Sequence, residues 1–230
     1  MRLRHADSRR FWDQAARDNA EWYVATDYTT SEALFAKGAQ ETDAFLGFCG
    51  VEVGRSDLVV EIGCGVGRMT GRLAERARWV IATDVSQEML ERARSNLAGR
   101  DNVTFQLVPG DGTLPEVMNG SADVVFSYIT LQHVPNVRAQ LRYFEEGARV
   151  IGPGGRIAIQ IRGDGLRARA LDWSGYAAHL LQGRRTLRPE WRGARVSDTQ
   201  VLAVLRSESL HAEVRRFGAR HRWVVAYRPA

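Results

Sequence analysis

Apolar and polar positions along the chain switch repeatedly between the period of a strand and the period of a helix. Largely apolar runs bounded by polar residues or glycines, such as LVVEI at 58–62, are typical of buried parallel strands. The predicted strands are 58–62, 79–84, 103–108, 123–128 and 156–162. The predicted helices between them are 67–77, 87–97 and 136–150. This alternation predicts right-handed βαβ units in an α/β fold, a doubly wound sheet with helices on both faces.

The end of the chain follows a different order. GPGG at 152–155 predicts a turn before the fifth strand, and an N-capped helix is predicted at 197–210. Two further strands, 211–217 and 221–228, are joined by three residues, which cannot hold a crossover helix. We therefore expect an antiparallel C-terminal hairpin and a seven-stranded, mostly parallel sheet.

Length and composition place this pattern in one domain. The chain has 230 residues, 44% hydrophobic and 26% charged, which is typical of a globular protein with a sizeable core. No apolar run approaches the ~20 residues of a membrane span, and no apolar segment follows the basic N-terminus. Cys49 and Cys64 are too few for a disulfide framework or a zinc site. We expect a cytoplasmic protein without a metal.

Charge changes this picture little. The net charge is +5, and Lys37 is the only lysine. A basic chain can attract anionic partners, but nucleic-acid binders usually combine lysines and arginines in patches with interleaved aromatics. We interpret the arginine bias as a codon preference, which makes a nucleic-acid partner an alternative rather than the main hypothesis.

The most informative motif is EIGCGVG at 61–67, between the first strand and the first helix. Glycines at 63, 65 and 67 remove side chains from the turn, so a ligand can approach the backbone near a helix N-terminus. The dinucleotide fingerprint G-x-G-x-x-G would need a glycine where Arg68 stands, so it fails. A plain strand-to-helix turn requires fewer glycines, which favours a binding site.

Two aspartates follow neighbouring strands. Asp84 ends the second strand, where an acid in nucleotide-binding βαβ units accepts hydrogen bonds from a ribose. Its alternative role as a helix N-cap is less favoured because Ser86 can serve there. Asp111, in GDG at 110–112, is placed to accept from an adenine amino group or to act as a turn aspartate.

On these residues the chain resembles the class I S-adenosylmethionine-dependent methyltransferases. The matching stretches are VVEIGCGVGRMT at 59–70, VIATDVSQEMLERAR at 80–94, PGDG at 109–112, DVVFSYITLQHVPN at 123–136 and LRYFEEGARVIGPGGRIAIQI at 141–161. They cover most of residues 57–162, and the terminal hairpin fits the family's antiparallel last strand. The resemblance implies a Rossmann-like fold, S-adenosylmethionine as cofactor, S-adenosylhomocysteine as product, and methyl transfer.

The resemblance also implies which residues hold the cofactor. Glu61 and the glycines are expected at the methionine part, Asp84 at the ribose, and Asp111 with Gly112 at the adenine. Cys64 is interpreted as a small packing residue of the turn. The full expected set is Trp12, Glu61, Gly63, Cys64, Gly65, Gly67, Asp84, Val85, Met89, Asp111, Gly112, Ser127, Tyr128 and Leu131.

Five other members of this set are expected at two places in the site. Val85 and Met89 are expected to flank the adenine. Ser127, Tyr128 and Leu131, after the fourth strand, are expected to line the methionine side next to the sulfonium.

Two segments outside the matched stretches are expected to complete the site. Residues 1–50 form a helical lid over the 51–162 core, with Trp12, Trp22 and Tyr23 near the cofactor, or are ordinary packed helices. Residues 163–196 are an insertion that caps the acceptor, before the final helix and hairpin at 197–230. The insertion's aromatic and basic residues are Trp173, Tyr176, His179, Arg184, Arg185, Arg188, Trp191, Arg192 and Arg195. Its arginines either meet an anionic acceptor or are solvated.

His133, in LQHVPN, is the candidate catalytic residue. Methyl transfer is an in-line displacement in which alignment dominates, and a base is needed only if the nucleophile must lose a proton. We favour a histidine that orders its turn. The expected acceptor is a small molecule of secondary or specialised metabolism, for a monomer or homodimer without a membrane partner. The alternatives are a nucleic-acid or protein methyltransferase and a cofactor binder that does not methylate.

Overall fold

The computed structural model describes residues 5–24, 30–163, 165, 170 and 189–230. Two helices precede the sheet, α1 (His5–Val24) and α2 (Ser31–Cys49). α1 is interrupted at Asn19, where the backbone is extended. α2 begins after Thr30, whose side chain accepts a hydrogen bond from the amide of Ala33.

A single mixed sheet forms the centre of the described structure. Its strands are β1 (Leu58–Ile62), β2 (Trp79–Asp84), β3 (Val103–Leu107), β4 (Ala122–Ser127), β5 (Ile151–Arg162), β6 (His211–Phe217) and β7 (His221–Tyr227). The helices after α2 are α3 (Thr70–Arg76), α4 (Gln87–Asn96), α5 (Val137–Val150), α6 (Pro189–Arg192) and α7 (Asp198–Ser207). The strand order is β3-β2-β1-β4-β5-β7-β6, with β7 antiparallel to both neighbours. The predicted doubly wound sheet with an antiparallel hairpin is confirmed.

Two apolar clusters cover the two faces of the sheet. Val60 of β1 belongs to a cluster with Phe144 of α5, and its neighbour Val59 belongs to a second cluster with Leu73 of α3. Adjacent residues of a strand point to opposite faces, so the helices lie on both sides. The central strands β1 and β4 are therefore covered on both faces, which explains why they are largely apolar runs in the sequence.

Three predicted boundaries differ from the structure by more than one residue. One is the end of the helix predicted at 197–210, which lies at Ser207. The helix predicted at 67–77 begins only at Thr70, because Gly67 has φ +86° and still belongs to the turn. The GPGG segment, predicted as a turn, lies inside β5, which starts at Ile151. A register shift between β4 and β5 absorbs these residues, as a bulge does in a strand with glycines.

The sheet topology determines where a ligand binds. β2 and β3 lie on one side of β1, and β4 and β5 lie on the other, so the chain order reverses between β1 and β4. In open α/β sheets, ligands bind in the crevice beyond the carboxyl ends of the strands at this position. In the residues described, no helix is long and apolar enough to span a membrane.

Candidate functional site

A cavity opens at the carboxyl ends of β1, β2 and β4. Its empty volume, including the open mouth, is about 980 Å³. Ten of the residues expected from the sequence line it: Trp12, Glu61, Gly63, Cys64, Gly65, Asp84, Val85, Met89, Tyr128 and His133. Residues far apart in sequence thus converge on one space, as the strand-end argument predicts.

The glycine turn after β1 is tied to β2 by its backbone. The amides of Gly63 and Cys64 both donate to the carbonyl oxygen of Thr83, at 2.8 and 2.9 Å. Gly63 has φ +76°, and a Cβ there would lie 2.1 Å from the side chain of Thr130. Any larger residue at Gly63 therefore meets both an unfavourable backbone conformation and a steric clash.

Asp84 connects the glycine turn to the start of α4. Its Oδ2 accepts from the amide of Gly65 at 2.9 Å, and its Oδ1 accepts from the amide of Ser86 at 2.9 Å. Burial raises the pKa of Asp84, while the backbone hydrogen bonds oppose that shift. Each carboxylate oxygen has a second lone pair, so the side chain can accept further hydrogen bonds from a ligand.

Glu61 is the second buried acid of the cavity. Thr70 Oγ1 donates to Glu61 Oε2 at 2.6 Å, and burial raises the pKa of Glu61 to about 7. Arg68 lies nearby and also lines the cavity. Its guanidinium forms an ion pair with Glu41 at 2.6 Å and lies 5.5 Å from the ring centre of Tyr128. Arg68 was not predicted to line the cavity, although it directly follows the glycine motif.

The turn after β4 forms another wall. Tyr128 lines the cavity, but Ser127 and Leu131 are fully buried outside the lining. Ser127 Oγ donates to the carbonyl oxygen of Ile62 at 2.8 Å, and Leu131 belongs to the apolar core. Ile129, which lines the cavity, has φ +55°, a conformation that costs a β-branched residue on the order of 1–3 kcal/mol.

His133 is buried beside an aromatic group. Its Nδ1 lies 2.6 Å from the carbonyl oxygen of Trp191, so Nδ1 carries the proton and donates. Its Nε2, 3.1 Å from Nε2 of Gln132, then accepts from that amide. Burial, with the nearby charge of Arg162, lowers the pKa of His133 to about 3. The ring is therefore neutral at physiological pH, and both nitrogens are engaged.

α1 lies along the cavity and contributes Ser8, Trp12 and Tyr23 to its lining. The Trp12 ring centre is 5.4 Å from that of His133 and 6.2 Å from that of Trp191. These contacts join the N-terminal helix to α6. The side chain of Trp22 lies outside the described residues, as do Trp173, Tyr176, His179, Arg184, Arg185 and Arg188.

Hydrogen bonds hold α1 on the core. Ser86 Oγ donates to Asp13 Oδ1 at 2.6 Å, so α1 contacts the N-terminus of α4. Arg9 donates to the carbonyl oxygens of Val85 and Val108 at 3.2 and 3.4 Å.

The chain is similar to known methyltransferases. Residues 60–159 match the model of a methyltransferase domain. Demethylmenaquinone methyltransferase of Tropheryma whipplei is 30% identical over 135 residues, covering 59% of this chain and 53% of that protein. Malonyl-(acyl-carrier protein) O-methyltransferase of Hahella chejuensis is 32% identical over 162 residues, covering 69% and 54%. The chain therefore carries a class I, S-adenosylmethionine-dependent methyltransferase domain.

The similarity in fold extends beyond the matched domain. Magnesium protoporphyrin IX methyltransferase from Synechocystis PCC 6803, solved with bound S-adenosylhomocysteine, superposes with a TM-score of 0.66. The match covers 97% of this chain and 99% of that one at 19% identity. The chain spans about half the length of the two relatives named above. S-adenosylmethionine is the cofactor of the family.

Three further residues expected at the cofactor lie outside the cavity lining. A Cβ on Gly67 would lie 2.9 Å from Leu97, so this glycine allows α4 to pack closely. Asp111 accepts from the amide and hydroxyl of Thr113 at 3.0 and 2.6 Å. A Cβ on Gly112 would lie 2.4 Å from the carbonyl oxygen of Ala139. All three glycine and aspartate positions support turns beside the site.

Several residues that line the cavity were not predicted from the sequence. They are Ser8, Ile62, Arg68, Met69, Val108, Gly110, Ile129, Thr130, Val134, Pro135, Tyr143 and Tyr23, the last expected only as part of a lid. Gly110 is adjacent to the aspartate that was named, and Ile62 and Met69 flank the glycine motif. Thr130 carries no sequence signal, because its importance comes from the close contact with Gly63. In the described part of the chain, no group of three or more His, Cys, Asp or Glu side chains is arranged to hold a metal ion.

Proposed function

We propose that this chain transfers the methyl group of S-adenosylmethionine to a small-molecule acceptor. The observation that carries the proposal is the convergence of Glu61, the glycine turn and Asp84 on one cavity where the strand order reverses. The cofactor has an ammonium, a ribose with two hydroxyl groups and a flat adenine. A buried acid, an acceptor carboxylate and a backbone turn without side chains fit those groups chemically.

The residues divide along the cavity by chemistry. Glu61 and the carbonyl groups of the glycine turn suit the ammonium of the methionine part, and Asp84 suits the ribose hydroxyls. Val85 and Met89, on the β2 side, suit the faces of the adenine. For Asp111 we propose a supporting role in the turn, because its carboxylate already accepts from Thr113. We assign Gly67, Gly112, Ser127 and Leu131 to support of the surrounding backbone and core.

Alignment supplies most of the catalysis in this proposal. When bound, S-adenosylmethionine would supply a methyl group on a positively charged sulfur; the acceptor nucleophile attacks the methyl carbon in line, and the sulfur leaves as the thioether of S-adenosylhomocysteine. The aromatic ring of Trp12 lines the cavity and suits a neighbouring cation. His133 is a poor general base, because its pKa is about 3 and its ring nitrogens are engaged. The acceptor atom is therefore one that is nucleophilic without His133, such as a carboxylate, phenolate, neutral amine or carbon.

The acceptor class rests on the relatives and on the cavity wall. The relatives' names specify demethylmenaquinone, malonyl-(acyl-carrier protein) and magnesium protoporphyrin IX. The rings of Trp12 and Tyr23 line the cavity, lie within 6.5 Å of each other and both pack against Trp191. They favour a partly apolar or planar acceptor. A role in secondary or specialised metabolism, in the cytoplasm, remains part of this proposal.

Titration calorimetry with S-adenosylhomocysteine tests the cofactor assignment. We expect saturable binding with one site per chain, and no binding of NAD⁺, whose fingerprint the glycine motif lacks. Incubation with S-adenosylmethionine and mixed small acceptors, followed by detection of S-adenosylhomocysteine, tests transfer. Failure to bind the product would refute the proposal. Transfer only to RNA, DNA or protein, with a steep salt dependence for nucleic acid, would replace the acceptor class.

A further inference from the structure

Ile129 has a conformation that its side chain disfavours. Its φ of +55° lies in the left-handed region, which β-branched residues rarely adopt. Among the described residues, Ser209 is the only other non-glycine residue with a positive φ, and it is exposed on the loop before β6. Ile129 instead lines the cavity directly after β4. Something in the surrounding structure must hold this turn against its own preference.

Gln160 on the neighbouring strand β5 supplies that restraint. Its side-chain Oε1 accepts a hydrogen bond from the amide of Ile129 at 3.0 Å. Its Nε2 donates to the carbonyl oxygen of Ile161 at 2.8 Å, which fixes the orientation of the side-chain amide. Gln160 is fully buried and is not among the described residues that line the cavity.

The restrained turn carries Thr130 to the glycine motif. Thr130 Oγ1 lies 3.1 Å from the carbonyl oxygen of Gly63 and 3.2 Å from that of Tyr128. The Thr130 side chain occupies the space where a Cβ on Gly63 would lie. A continuous set of contacts therefore runs from Gln160 through Ile129 and Thr130 to the glycine turn.

We infer that Gln160 is a positioning residue of the cofactor site, which holds the Ile129 turn in its left-handed conformation and thereby fixes Thr130 against the glycine turn. This inference rests on the proposed function, because its consequence is measured as cofactor affinity. Without the acceptor oxygen of Gln160, Ile129 relaxes toward the conformations that isoleucine prefers. Thr130 then moves off Gly63, and the glycine turn loses its fixed shape.

Gln160→Met tests the inference by removing the amide at similar side-chain length. We expect S-adenosylhomocysteine to bind about tenfold more weakly in calorimetry, and the Ile129 amide to exchange its hydrogen faster. Glycine adopts the left-handed region readily. Adding Ile129→Gly to Gln160→Met should therefore restore the affinity to within about threefold of the unaltered chain. A purely structural role for Gln160 predicts lower stability without this rescue.

Thr42→Val is the matched control. Thr42 is fully buried in α2, donates one hydrogen bond to the carbonyl oxygen of Gly38, and is not among the lining residues. Its loss should lower thermal stability and leave the affinity unchanged.

Unchanged affinity in folded Gln160→Met, or a double variant as weak as the single one, overturns the positioning role alone. If Gln160→Met does not fold, Gln160→Asn decides, because its shorter side chain withdraws the oxygen that accepts from the Ile129 amide. It should weaken the affinity and speed the exchange of that amide, and a folded Gln160→Asn variant with unaltered affinity and exchange overturns the restraint. An unaltered chain that binds no S-adenosylhomocysteine overturns the proposed function and this inference together.

Discussion

At the scale of single residues, the two buried acids differ in what they contact. Asp84 accepts from two backbone amides, whereas Glu61 accepts from a threonine hydroxyl. Burial raises the pKa of both carboxyl groups, so each charge is costly without a partner. In the proposed function, the cofactor ammonium is the partner of Glu61 and the ribose hydroxyls are the partners of Asp84. The binding free energy that each acid contributes therefore has a different origin.

Asp84→Ala should weaken binding of S-adenosylhomocysteine by roughly 10- to 150-fold, since hydrogen bonds to a charged group contribute ~1.5–3 kcal/mol. The variant also loses the acceptor of the Gly65 amide, which adds to the effect. Calorimetry on protein with an unchanged circular dichroism spectrum measures this. Glu116→Ala, an exposed acid outside the cavity, is the control. Equal affinity of the two variants would contradict the ribose assignment.

Glu61 should make cofactor binding depend on pH. Its pKa in the folded protein, about 7, lies above the ordinary value of 4.5, so this group favours the folded state fully below pH 4.5 and loses that contribution as the pH rises through 7. The cofactor ammonium favours the ionised form. The affinity should therefore rise about tenfold per pH unit below 7 and level off above it.

Calorimetry at pH 6, 7 and 8, in two buffers of different ionisation enthalpy, measures this dependence through the protons released on binding. Glu61→Gln should bind with little pH dependence over that range. Proton uptake instead of release would place the ammonium away from Glu61.

His133→Ala should retain catalysis to within about tenfold. A general base typically contributes ~10²–10⁴-fold, and the lowered pKa of His133 makes it ineffective in that role. The residual loss reflects the hydrogen bond to the carbonyl oxygen of Trp191. Single-turnover rates across pH 5–9 measure this. A hundredfold loss, together with the disappearance of an inflection near pH 6.5, would identify His133 as the base.

At the scale of secondary-structure elements, α1 depends on a few polar contacts for its place. Asp13 accepts from the hydroxyl of Ser86 at 2.6 Å and from the amide of Glu88 at 3.4 Å. The ion pair between Arg17 and Glu88 is partly exposed and contributes little. Asp13 is therefore the main polar attachment of α1 to the N-terminus of α4.

Asp13→Ala should loosen α1 without unfolding the sheet. We expect faster proteolysis and amide exchange in α1, and a several-fold loss of affinity for S-adenosylhomocysteine, because Trp12 is displaced from the cavity wall. Asp18→Ala is a matched control on the same helix, since Asp18 is exposed and accepts from Gln14 within α1. If the two variants are digested at the same rate, Asp13 does not hold the helix.

Elements were predictable where a local pattern decides them. The central strands β1 and β4 are covered on both faces. Ser86, Asn136 and Ser197 cap α4, α5 and α7 with their side chains. Asp84 and the glycine turn were predictable as neighbours because parallel strands end at the same edge. The early start of β5 was not, because it depends on pairing with β4. Ile129 and Arg68 were missed because turn conformation and contact with α2 decide their places.

At the scale of the whole molecule, the segments 1–50, 51–162, 163–196 and 197–230 are predicted to form one domain. Scanning calorimetry should then give a single transition with equal calorimetric and van't Hoff enthalpies. S-adenosylhomocysteine at 100 times its dissociation constant should stabilise the fold by ~2.7 kcal/mol, or roughly 5–10 °C at this length. Two transitions, of which the ligand shifts only one, would show that the segments unfold separately.

The position of α1 also bears on how quickly the protein can be reused. Three residues of this helix form part of the cavity wall, and the helix is held there by the same β2 and α4 ends that we assign to the adenine and ribose. We expect the spent nucleoside to depart only when these contacts open. The rate of repeated turnover is then limited by the exchange of S-adenosylhomocysteine for S-adenosylmethionine. That exchange requires α1 to move away from the cavity, and methyl transfer itself is faster.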